Sequence, residues 1–329
     1  MINSVRNTVL SVLNKNNYGY ISPSDFNLFA KQAQLEIYDE YFSNYNKLVN
    51  GQNQRAIGSD FADVTKAFQE VLETFLTESF LHPATRTSFQ SGAILPYNGY
   101  ITPSLVTTGN EAYMFLKVLL YTDVKKSGIS GYPGPYFLTD ISQDFTAPPA
   151  VVQDDFVINA TTYQSSYVTD FIGANDISIS DDIFLVAGDQ YLILSPYSYS
   201  ELEPVSQGKV SMLNASKLTA PNTMFPAYSI ENNIMYVYPS TIKGYGLVKA
   251  TYFRYPKDPK WTYISLSNGE PAFDQSQPDY QDFELPAEDE YKLVMKILQY
   301  SGISIREIEV AQYAIAQEQH EEPTFSQKQ

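Results

Sequence analysis

The chain contains no cysteine. That excludes a disulfide framework, a thiolate metal site and a cysteine nucleophile. It has two histidines, His82 and His320, and a single tryptophan, Trp261. A histidine-based zinc centre is therefore nearly excluded, and a Ser-His-Asp triad would have only those two imidazoles to draw on. His82 stands before Pro83, where a helix is expected to end, and His320 lies in a polar tail, so capping or solvent-facing roles suit both. No run approaches the roughly 20 apolar residues of a membrane-spanning helix. The opening, MINSVRNTVLSVLNKNNYGY, lacks the apolar centre of a signal peptide and reads as a short amphipathic helix. A soluble protein made in a reducing cytoplasm is expected.

Positive charge is missing from two long stretches. Between Ser127 and Gly208 there is no Lys or Arg, while eleven Asp and Glu residues occur there. Between Thr262 and Tyr291 there is again none, against eight acids. The formal net charge is −16. A nucleic-acid-gripping protein needs a basic stripe to displace counterions, and this distribution disfavours one. It suits solvated acidic loops that favour solubility, or a surface past which DNA slides without sticking. Glu288, Asp289 and Glu290 fall in the first turn of an expected helix, where they offset its positive dipole end. A calcium site is the alternative there, although the spacing matches no EF-hand loop.

What is present is core-forming material. The 329 residues are 43% hydrophobic and 14% aromatic, with 27 tyrosines, enough for one large or two ordinary domains. Tyrosine combines apolar area with a hydroxyl, which suits half-wet interfaces between subunits, and it is equally a strand former. Asn3 to Asn14 carries Val5, Val9, Val12 and Leu13 at helical spacing. Ser22-Pro23-Ser24-Asp25 is a helix start, with Ser22 as N-cap and Pro23 at the first position. The helix is expected to reach about Tyr45, with Phe26, Phe29, Ala33, Ile37 and Tyr41 on one stripe, followed by a loop over residues 44–60. A third helix is expected over residues 60–81. Residues 112–124 are apolar and strand-like, though the length permits a short helix, and strands are expected over 183–186 and 190–194. Ile234 to Tyr238 and Leu247 to Tyr255 alternate as strands, closed by Pro256 and Pro259, which cannot continue a sheet. A last helix follows Asp282-Phe283-Glu284-Leu285-Pro286, broken at Ser301-Gly302 and resuming from Ile303.

Three blocks carry a family resemblance. The segment Tyr252, Arg254, Pro256, Pro259, Trp261 reads YxRxPxxPxW; GYISPSDFNLFAKQAQLEIYDEYF holds Pro23 and Phe26; ELPAEDEYKLVMKILQYSGISIREIEVAQYA closes the chain. Together they resemble head-to-tail connector (adaptor or ring) proteins of tailed bacteriophages, closest to ring proteins of crAss-like gut phages, and cover about half of the chain. The resemblance implies an α+β fold: an N- and C-terminal helical bundle with an inserted β-rich domain. The domains expected are N-terminal helices over 1–84, a common β-domain over 85–126 and 209–267, an acidic β-rich insertion over 127–208, and an acidic loop, C-terminal helix and docking tail over 268–329. The implied function is structural. A ring of about twelve copies in the virion neck, assembled in the host cytoplasm, would join portal to tail and surround the DNA exit channel. Its partners would be its own subunits, the portal protein and adjacent neck and tail rings. DNA would pass without specific binding, and no membrane or cofactor is involved. Ile305, Arg306, Ile308, Gln312, Tyr313 and Ile315 are the implied interface residues.

No catalytic residue or metal ligand stands out, and the chain is not expected to be an enzyme. A glycan hydrolase needs only two carboxylates and an aromatic cleft, which composition allows, but one tryptophan is few for a sugar cleft. The remaining alternatives are a tail hub and a receptor- or carbohydrate-binding tail component carried by residues 127–208.

Overall fold

The computed structural model describes residues 1–14, 21–53, 64–87, 94–131, 134–267 and 269–305. Two compact units emerge. One joins Met1–Phe75 to Tyr255–Gln329; the other is the continuous stretch Leu76–Arg254.

In the first unit the helices are α1 (Ile2–Asn14), α2 (Pro23–Asn53), α3 (Val64–Glu73) and α5 (Glu290–Ile305). Helix α2 packs against α3 and α5, and α1 against α5. Phe26, Ala30, Ala33, Ile37 and Tyr41 repeat every three to four residues along α2 and are buried. They meet Leu293, Val294, Ile297 and Leu298, buried on α5. The Tyr38 ring makes edge contacts with Phe42 and Phe75, at centroid distances of 5.1 and 5.0 Å. A two-stranded hairpin, β16 (Tyr263–Ser265) with β17 (Pro271–Phe273), completes this unit.

The second unit holds β1 (Leu76–Phe80), β2 (His82–Thr87), β3 (Ile94–Ile101), β4 (Ala112–Tyr121), β5 (Val124–Ile129), β6 (Phe137–Thr139), β7 (Phe156–Asn159), β8 (Ser165–Phe171) and β9 (Asp176–Ile179). It continues with β10 (Gln190–Leu194), β11 (Tyr199–Glu201), β12 (Glu203–Pro204), α4 (Gln207–Asn214), β13 (Ala227–Glu231), β14 (Ile234–Tyr238) and β15 (Val248–Arg254). One sheet runs β1-β15-β4-β11 and another β12-β13-β14-β3-β2. Val118, Leu120, Val248, Ala250 and Tyr252 from the first form a single core with Tyr100, Tyr228, Met235 and Val237 from the second. The third sheet, β5-β10-β7-β8-β9-β6, curls on itself. The Gly131 amide, two residues past β5, donates to the Thr139 carbonyl on β6 at 2.8 Å, linking the two edge strands. Leu138, Phe145, Val157, Val168, Ile177, Tyr191 and Ile193 fill its inside.

The α+β plan with terminal helical bundles is overturned. Among the described residues the chain is mainly β, with seventeen strands in four sheets and five α-helices. The third helix ends at Glu73, and Leu76–Phe80 is a strand paired with β15 in the register Leu76↔Phe253 to Phe80↔Lys249. Val71, Leu72 and Phe75 fit a helical stripe, but the run beyond them is short enough to go either way, and the cross-strand partner decides it. His82 therefore opens a strand rather than ending a helix. Residues 183–186 form no strand; Ile183 and Phe184 are buried as irregular chain. Helix α2 continues to Asn53, beyond the expected end at Tyr45. Helix α5 passes through Ser301-Gly302 without a break.

Candidate functional site

Block by block, the family-like segments of the first unit meet at Trp261. Pro23 opens α2. The Ser22 hydroxyl accepts the Asp25 amide at 3.1 Å and donates to the Asp25 carboxylate at 2.6 Å, a reciprocal cap that fixes where the helix begins. With its start set, α2 turns Asn27, Lys31 and Gln34 towards the segment that follows Pro256. Asn27 makes a two-way bond with the Trp261 backbone: its amide donates to the Trp261 carbonyl at 3.2 Å, and the Trp261 amide donates to its oxygen at 2.8 Å. Gln34 donates to the Lys257 carbonyl at 2.8 Å and accepts the Glu284 amide at 3.1 Å. Lys31 reaches Asp258 at 2.7 Å. Pro256 and Pro259 are buried, and they hold the chain extended so that these backbone groups face α2.

The Trp261 side chain is 2% exposed. The Arg6 guanidinium of α1 lies over its ring at 3.8 Å from the centroid. Tyr263 and Phe273 of the hairpin stack on it at 5.6 and 5.9 Å. Its indole N–H donates to Asn3 at 3.1 Å. One residue thus ties α1, the proline segment and the hairpin together.

Asp282 supplies the next tie. Its carboxylate accepts the Ile2 amide at 2.7 Å, the Met1 ammonium at 3.0 Å and its neighbour Phe283's amide at 2.8 Å, so it caps α1 from the far end of the chain. Burial alone would raise its pKa; the hydrogen bonds from the ammonium, Ile2 and Phe283 outweigh that and hold the group below the ordinary carboxylate range. Between α2 and α5, Lys296 (5% exposed) bridges Glu40 at 2.7 Å and Glu36 at 3.3 Å. Tyr300 donates to Glu36 at 2.7 Å, and burial, reinforced by that carboxylate, pushes its phenol up to about 12. Tyr41 donates to Asp289, which Lys292 also neutralises at 2.9 Å. Of the three first-turn acids, Asp289 is thus committed to a side-chain network.

The other predicted residues are placed as follows. Tyr252 is fully buried in β15 and Arg254 ends that strand, half-buried, both in the second unit. Phe26 is core. Ile305 is the last residue of α5. Arg306, Ile308, Gln312, Tyr313 and Ile315 lie outside the described residues, as does His320. Sequence reasoning missed Asn3, Arg6, Asn27, Gln34 and Asp282. A signal was available for two of them: Asn27 and Gln34 sit seven residues apart beside the apolar stripe, marking a polar helix edge with buried work to do.

Among the described residues, no group of three or more His, Asp or Glu side chains could hold a metal ion. No helix among them is long and apolar enough to cross a membrane. No protein-family model matches the chain, and no curated protein matches it.

Proposed function

We propose that this chain is a structural component of a tailed-phage neck. Copies close into a ring between capsid and tail, contact the portal protein or adjacent ring proteins, and leave a channel through which DNA passes without specific binding. The observation that supports this reading is the interlock at Trp261. The blocks that resemble connector proteins, residues 19–42, 252–261 and 284–314, are far apart in sequence, yet parts of all three hydrogen-bond to one another in the first unit through Asn27, Gln34 and the Lys257, Trp261 and Glu284 backbones, while Tyr252 and Arg254 lie in the second unit. The α+β bundle plan is not part of this proposal. The polar groups around Trp261 bond to each other and hold segments in place.

Antibody labelling of phage particles, viewed by electron microscopy, tests the placement. Label at the junction of capsid and tail is expected. Label at fibre tips or at the tail's distal end would move the protein to a receptor-binding or tail-hub role, and particles without the protein would remove it from the virion.

A further inference from the structure

Between β12 and β13 the chain makes an excursion, residues 206–226, that contains α4. Four of its large apolar side chains face outward: Met212 is 76% exposed, Leu218 95%, Met224 74% and Phe225 74%. Such residues exposed singly are ordinary, but four within fourteen positions concentrate exposed apolar side chains on one excursion. The tip is held in shape. Asn222 accepts the Met224 and Phe225 amides at 2.9 and 3.0 Å, and its own amide donates to the Phe225 carbonyl at 3.3 Å. Thr219 donates to the Leu213 carbonyl at 3.0 Å, pinning the middle to the end of α4. A pre-shaped tip loses little conformational freedom when it binds.

Charge says what would cover it. The excursion has two lysines, Lys217 and Lys209, the latter paired with Glu203 at 3.0 Å, and no acidic residue, in a chain of net charge −16. The curled sheet and the loops within it, residues 124–194, have the opposite balance: nine aspartates against two lysines, Lys125 and Lys126, of which Lys125 is bound to Asp155 at 2.8 Å. That sheet bears an apolar patch of its own around the end of β5: Ile129 is 56% exposed, Ile141 88%, Leu185 68% and Val186 63%. Backbone links gather these segments. The Ile129 amide bonds to the Asp140 carboxylate, the Gly188 amide donates to the Ser130 carbonyl at 2.9 Å, and the Ser130 amide donates to the Asp189 carbonyl at 2.8 Å. Asp144, Asp181 and Asp182 flank the patch in sequence and are exposed.

We infer that the 206–226 excursion of one copy docks on the predominantly acidic curled sheet of a second copy, with Met224 and Phe225 seated at the patch around Ile129 and Ile141. This deepens the neck proposal and rests on its self-assembly component. The two surfaces differ, so the contact is heterologous. Repetition carries it head to tail, the kind of contact from which rings close. Lys217 steers the excursion to the acidic sheet, and the aromatic and methionine side chains supply the buried centre.

The test places a photo-reactive benzoylphenylalanine at position 225 of the full chain, irradiates it at high protein concentration and maps the cross-linked peptides. In parallel, sedimentation velocity compares the unaltered chain with Phe225→Asp and Ile141→Asp, at low and high salt. Both side chains are exposed, so both variants are expected to fold. Cross-links from position 225 to residues 127–189 of another copy are expected, with about a tenfold or greater loss of self-association in each variant. Weakening by salt is expected for the unaltered chain. Cross-links that land elsewhere on an associated chain overturn this docking mode and leave the neck proposal standing. A chain that stays monomeric at the highest concentration overturns it as well, while particle labelling judges the neck placement independently.

Discussion

Replacing Trp261 by alanine removes the surface on which Arg6, Tyr263 and Phe273 lie. The expected cost is about 3–5 kcal/mol, as for other buried aromatic truncations. Trp261→Phe keeps the stack and loses only the bond to Asn3, so it is expected to cost clearly less; urea unfolding of both variants gives the order. In the other unit, Gly128 has no room for a side chain. A Cβ there would lie 2.3 Å from the Asp140 carboxylate and 2.8 Å from the Tyr191 hydroxyl, which are bonded to each other at 2.7 Å. Gly128→Ala is expected to destabilise by about 1–3 kcal/mol, read as faster amide exchange across residues 124–194. Asp282 makes a pH prediction. Its folded pKa lies below the unfolded one, so its contribution is complete above the ordinary aspartate value of about 4 and is lost as pH falls through the folded value. Asp282→Asn is expected to lower stability at neutral pH and to flatten the acid limb of the stability curve. Asp140 is held low in the same sense by Ser142, Tyr191 and Ile129 against its burial, so part of that limb is expected to remain. Single residues were legible in the sequence where chemistry is rare or rigid, as at Pro23 and Trp261. Asn27 and Asp282 were not, because their partners lie 234 and 280 residues away.

Elements that carry their own start signal were readable without tertiary knowledge. Helix α2 begins where Ser22-Pro23-Ser24-Asp25 dictates, and Ser22→Ala is expected to cost about 0.5–2 kcal/mol through loss of the cap. Thermal unfolding beside Ser22→Asp, which restores an acceptor, checks that the hydroxyl's capping is responsible. The strands β14 and β15 were plain from alternation; the apolar run at β4 left strand and short helix both open, and pairing with β15 makes it a strand. Two of the errors, at β1 and at Ser301-Gly302, share one cause, a local signal that packing or a partner outvotes. At β1, Glu78 meets Lys249 at 2.5 Å and Thr251 at 3.2 Å across the strand pair, and these contacts hold extended a run whose apolar spacing also fits a helix. At Ser301-Gly302 the serine hydroxyl donates to the Ile297 carbonyl at 2.6 Å, and both residues are buried, so packing carries α5 through a glycine that alone would weaken it.

At the scale of the molecule, the second unit begins and ends on neighbouring strands. Leu76 pairs with Phe253 at the edge of one sheet, so the points where the chain enters and leaves this unit are adjacent. A fragment 76–254 is therefore expected to fold alone, with a cooperative thermal transition and dispersed amide resonances; a fragment with neither would show that the unit depends on the rest of the chain. The complementary unit is discontinuous, since residues 1–75 and 255–329 must meet. Composition signalled a large core, and the buried hydrophobic residues supply one. It could not signal the balance between helix and strand, because the tyrosines and branched residues of 76–254 declare themselves as sheet only once their pairing is fixed.

Electron microscopy of the full chain co-expressed with its phage's portal protein tests the central claim most directly. The account predicts a portal ring bearing an added layer of matching cyclic symmetry, with adjacent copies touching through the 206–226 excursion. A bare portal beside free monomers would contradict it.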